Sequence, residues 1–115
     1  FQGAETVSDH IVNTPLPERS GGDAFRKAVS EQWLPALERF KPEMIFVSAG
    51  FDAHRDDPLA NLGFVEADYV WVSREIVAMA KRHARGRIVS TLEGGYDLDA
   101  LGRSVTEHIR VLAGV

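Results

Sequence analysis

Two short apolar runs, Met44-Ile45-Phe46-Val47 and Arg87-Ile88-Val89-Ser90-Thr91-Leu92, flank a stretch with helical periodicity, and this order constrains the fold more than any other feature. The first run is continuous in apolar side chains, the pattern of a strand buried on both faces of a parallel sheet. Between the runs, Tyr69, Val72, Ile76, Met79, Ala80 and His83 share one helical stripe that Gly86 closes. A helical crossover between consecutive strands makes those strands parallel. Upstream, Phe25, Val29, Trp33, Leu37 and Phe40 recur at near-helical spacing after Asp23, a candidate N-cap. Pro35 is expected to kink or restart that helix, and Lys41-Pro42 to end it. Downstream, Leu98, Leu101, Val105, Ile109 and Leu112 define a last amphipathic helix. The expected fold is one compact α/β unit with a parallel sheet. Before residue 22, Pro15, Pro17 and Gly21-Gly22 read as loop, with Ile11-Val12 as a possible short strand.

Bulk properties narrow the function. The 115 residues, 44% of them hydrophobic, have the length of one domain. Thirteen basic against 17 acidic residues, with no dense Lys/Arg cluster, argue against direct nucleic-acid binding. The chain has no cysteine, which excludes disulfides, a thiolate zinc finger and a cysteine nucleophile. His, Asp and Glu remain as metal ligands. No apolar run approaches the ~20 residues needed to span a bilayer, and no secretory pattern opens the chain. A soluble cytoplasmic protein without a membrane partner is expected. Phe1-Gln2-Gly3 reads as the remnant of a cleavable purification tag, which would start the native part near Ala4.

In open parallel sheets, ligands gather outside the carboxyl ends of the strands, where Asp52 and Tyr96 would project. Asp52 has two readings: a carboxylate satisfying backbone amides in the turn after the strand, the commoner role, or a metal ligand. Tyr96 is either a half-buried ring with a bonded hydroxyl or a catalytic phenol. Gly94-Gly95 is a turn, or a place where backbone approaches a ligand closely. The four histidines, His10, His54, His83 and His108, show no metal-ligand spacing. His54 lies two residues from Asp52, yet such loop positions more often point apart. Trp33 and Trp71 read as core or interface anchors, and Asp56 and Asp57 as loop and capping residues, since the spacing of a calcium loop is missing.

Val47-Ser48-Ala49-Gly50-Phe51-Asp52-Ala53-His54, Asp57-Pro58-Leu59 and Leu92-Glu93-Gly94-Gly95-Tyr96, in this order with a helix between, resemble the C-terminal part of the histone deacetylase and acetylpolyamine amidohydrolase family, nearest its bacterial class II-like members. Val12-Asn13-Thr14-Pro15-Leu16-Pro17 and Trp33-Leu34-Pro35-Ala36-Leu37 resemble the segments preceding that block, so the likeness covers nearly the whole chain. It implies residues 4–115 of a partial three-layer, parallel-sheet fold of the arginase/deacetylase type. By position in the motifs, it also implies that Asp52 is a ligand of a catalytic Zn2+ and that Tyr96 polarises the acyl carbonyl and stabilises the oxyanion. Leu59 would line the acyl channel, with Gly94 and Gly95 as the wall beside the metal.

The activity implied is deacetylation of an acetylated amine, acetyl-lysine or acetylpolyamine. In that reaction zinc activates water and the amide carbonyl while a histidine takes the water's proton. The resemblance implies that the family's other two zinc ligands, from one Asp-x-His motif, and its paired catalytic histidines lie upstream of the segments matched here. One carboxylate cannot hold zinc, so the isolated chain is expected to bind no stoichiometric metal and to be inactive. Unpaired sheet edges or an uncovered apolar helix face are expected to drive self-association into a homo-oligomer. The alternative is a non-catalytic, self-associating α/β module from a truncated gene; a nucleotide-binding domain using Gly94-Gly95 is a weaker third.

Overall fold

A computed structural model describes residues 9–115; the tag reading of Phe1-Gln2-Gly3 lies outside the described residues. The first helical rod comprises α1 (Gly22–Ala28), a π-helical turn (Val29–Trp33) and α2 (Leu34–Phe40). Pro35 explains the turn. It has no N–H to donate, and its ring would strike the preceding turn of a regular helix. The rod neither breaks nor restarts there but widens, with the Leu34 N–H reaching the Val29 carbonyl five residues back. Lys41 ends the rod in a left-handed conformation, φ 53°, its N–H bonded to the Leu37 carbonyl.

β1 (Ile45–Ala49) and β2 (Ile88–Leu92) pair in parallel, from Ile45 opposite Ile88 to Ala49 opposite Leu92. α3 (Glu66–His83) makes the crossover and α4 (Leu98–Ala113) follows β2, so helices and strands fall in the order the apolar periodicities predict. The helices cover the sheet face that carries Val47 and Ala49. There Ala49, Phe51, Phe64 and Tyr69 form the buried core, with Leu16, Phe25, Leu101 and Val105 against it. On the opposite face Phe46 pairs with Val89 and Ser48 with Thr91, and all four are exposed, Phe46 by 72%. The strand read as buried on both faces is therefore buried on one among the described residues. Ile11 and Val12 form no strand.

A polar seam ties the layers together. His108 of α4, buried, sits between Ser73 of α3 (Nδ1 to Oγ, 2.7 Å) and Ser90 of β2 (Nε2 to Oγ, 2.9 Å). Its ring meets the edge of Phe51 at 5.7 Å, one residue before Asp52. Burial lowers the His108 pKa from its ordinary 6.5, so the unfolded chain takes up the proton first. Its contribution to stability is full above pH 6.5 and is lost as pH falls below it. Thermal melting between about pH 5 and 8 should show the loss, and His108→Gln should flatten that part of the profile. An unchanged profile in the variant would remove His108 from the account. No helix among the described residues is long and apolar enough to cross a membrane.

Candidate active site

β1 and β2 end level with each other, at Ala49 and Leu92, so both following loops leave the same edge of the sheet. The two chains stay paired beyond the strands: the Glu93 N–H donates to the Ala49 carbonyl (2.9 Å) and the Phe51 N–H to the Gly94 carbonyl (2.8 Å). This extension carries Asp52 onto Gly94. A Cβ on Gly94 would lie 3.1 Å from Asp52 Cγ and Oδ2, and one on Gly50 would lie 3.2 Å from Asp52 Oδ1. The glycines are what let the carboxylate come down on the backbone. Gly95 is required by its φ of +140°, and a Cβ there would lie 2.6 Å from Leu101 Cδ1, which would have to move aside.

The Asp52 carboxylate makes no hydrogen bond or ion pair with the other described residues. Capping of the turn amides, its commoner reading, falls instead to Asp57, a residue only 6% exposed. Oδ1 of Asp57 accepts the Leu59 N–H (2.9 Å), and Oδ2 accepts those of Tyr96 (2.7 Å) and Asp97 (3.2 Å). Burial pushes the Asp57 pKa up, but the three amides outweigh it and hold the group below the ordinary carboxylate range. Asp97 in turn caps α4, accepting the Ala100 N–H at 2.8 Å.

Tyr96 and Leu59 both stand at the surface, 55% and 64% exposed. The Tyr96 ring is thus more open than the half-buried reading supposes. Tyr69, read from the sequence only as part of an apolar stripe, packs on Phe51 at 5.0 Å between ring centres. Burial first, then the carboxylate of Asp52, pushes its phenol above the ordinary range, so it stays protonated beside the site.

His54 is buried and turned to other partners. The Asp56 N–H donates to Nδ1 (3.1 Å), which leaves the proton on Nε2, 3.2 Å from Glu66 Oε2. Arg103 of α4 joins Glu66 to Asp56, closing a network that fastens the loop to both helices. The bond from Arg103 is the main reason the Glu66 pKa falls from 4.5 to about 2. His83 pairs with Glu38 across the rod and α3, and His10 lies beside Asp9. No three His, Asp or Glu side chains converge on a metal-sized space among the described residues. Asp52 offers one ligand where a catalytic zinc takes about three from protein, so these residues do not by themselves fit the ion.

Comparison with known proteins identifies the family. The histone deacetylase domain matches residues 2–112. Histone deacetylase 14, chloroplastic, of Arabidopsis thaliana is 48% identical over 103 residues, covering 90% of this chain and 24% of that protein. The crystal structure of the HDA15 HD domain superposes with a TM-score of 0.76 at 33% identity, over 85% of this chain and 27% of the other. The histone deacetylase Clr3 gives 0.81 at 28% identity, over 90% and 17%. The chain spans less than a third of the length of each.

Proposed function

Because the chain belongs to the histone deacetylase family, we propose that it is the C-terminal part of a cytoplasmic, zinc-dependent amide hydrolase that deacetylates acetyl-lysine or acetylpolyamines. Asp52 is one metal ligand of the complete enzyme, and Tyr96 is the donor that polarises the acyl carbonyl and holds the developing oxyanion. Leu59 lines the channel that admits the acyl chain, and Gly94 and Gly95 form the wall beside the metal. The observation that carries this reading is the Asp52 carboxylate. It lies on a glycine that leaves room for it, at the carboxyl edge of a parallel sheet, with no hydrogen bond or ion pair to another described residue. A turn-capping aspartate would be bonded, as Asp57 is.

The remaining ligands and the proton-accepting histidine must come from chain beyond these residues, since His54 and His108 are engaged elsewhere. The isolated chain is therefore expected to copurify with far less than one zinc and to leave an acetyl-lysine reporter intact. Stoichiometric zinc with robust turnover would refute the division of labour. The open sheet face around Phe46 and Val89 favours a second reading, in which the isolated chain self-associates as a non-catalytic module. Light scattering on the same preparation tests it, with a dimer or larger species expected and a clean monomer against it.

A further inference from the structure

We infer that Asp57 is a positioning residue for Tyr96: its carboxylate, gripping the backbone of Tyr96, Asp97 and Leu59 at once, sets the phenol at a fixed place relative to the channel wall. The inference rests on the role proposed for Tyr96 and adds the group that makes that role possible.

The need for such a grip follows from the local chain. Gly94 and Gly95 precede Tyr96, and glycine imposes the least backbone stiffness of any residue. Gly94 is tied to Phe51 through its carbonyl, but Gly95 sits at φ +140°, a conformation that side-chain-bearing residues rarely adopt. The Tyr96 side chain is 55% exposed and makes no hydrogen bond or ring contact with the other described residues. The ring therefore takes its place from its backbone, and its backbone takes its place from Asp57 Oδ2 at 2.7 Å. The other oxygen of the same carboxylate holds Leu59. A rigid planar group two bonds wide thus couples a loop after β1 to a loop after β2, 39 residues apart in sequence.

The charge state matters as well as the shape. Three N–H donors converge on the two oxygens, so every contact requires an acceptor. A carboxamide has one acceptor and one NH2 group, and in either orientation it turns a donor toward at least one of those amides. Asp57→Asn keeps the volume and loses the pattern.

The test is a double-mutant cycle in the complete deacetylase that carries this segment, comparing Asp57→Asn, Tyr96→Phe and the pair. Asp57→Asn should lower kcat by about 10- to 100-fold, the scale of a displacement near 1 Å at a reacting group, with KM changed less and zinc content unchanged. With Tyr96 already Phe, the further loss should shrink to less than about 3-fold, because groups acting as a unit are not additive. An equal penalty in both backgrounds, or none in the wild type, would overturn the inference and leave the role of Tyr96 standing. Full rate in Tyr96→Phe would instead overturn that role, and this inference with it. Should Asp57→Asn fail to fold, amide hydrogen exchange in the unmodified enzyme decides. The Tyr96, Asp97 and Leu59 amides should exchange at least about 10-fold more slowly than an open loop, and open-loop rates would overturn the grip.

Discussion

Tyr96→Phe in the complete enzyme is expected to lower kcat by about 10²–10³, the scale for loss of one oxyanion donor, with zinc content unchanged. The change removes a single oxygen from a ring that is mostly in solvent. The bonds that place the residue run through its backbone N–H to Asp57 and survive the substitution. Stability should move by no more than about 0.5 kcal/mol, as for other surface changes away from packed features. A lost rate then reports chemistry at the phenol. Uniform binding would show in KM, and an interaction made only in the transition state shows in kcat.

Asp52→Asn should have the larger effect, removing zinc and activity together. The amide has the shape of the carboxylate, so the close approach to Gly94 is kept while the negative charge is lost. No hydrogen bond of the described structure is broken, so the fold should be intact. A direct ligand should cost more than the about 100-fold in metal affinity that loss of an outer partner costs. The variant should melt close to the parent apoprotein, which separates a lost ligand from a damaged fold. Retention of zinc at parental affinity would return Asp52 to the role of a loop residue.

How much of this was legible in the sequence depends on the range of the interaction. The apolar periods around Ile76 and Val105 report local geometry, and the helices and the parallel order of the strands follow from them. Pro35 marked a disturbance whose form, a π turn, depends on how the rod can satisfy the Val29 carbonyl. The open face at Phe46 was not legible, because a continuous apolar run says that a strand is to be covered without saying by what. At the site, the motifs around Asp52 and Tyr96 pointed to the level strand ends where both lie. Asp57 could be read only as a capping residue, since an Asp before a Pro signals the bond to the Leu59 N–H two residues on. Its bonds to Tyr96 and Asp97 exist only once the two loops meet. The link from His54 to Glu66, and from Glu66 to Arg103, is likewise a product of tertiary packing.

The sharpest measurement is the zinc content of Asp52→Asn and Tyr96→Phe, each made in the complete enzyme, purified side by side and dialysed against the same weak chelator. Metal absent from the first and stoichiometric in the second, with both slow, is the predicted result. Metal kept by both, or lost by both, would contradict the assignment of the carboxylate to the ion and the phenol to the acyl group.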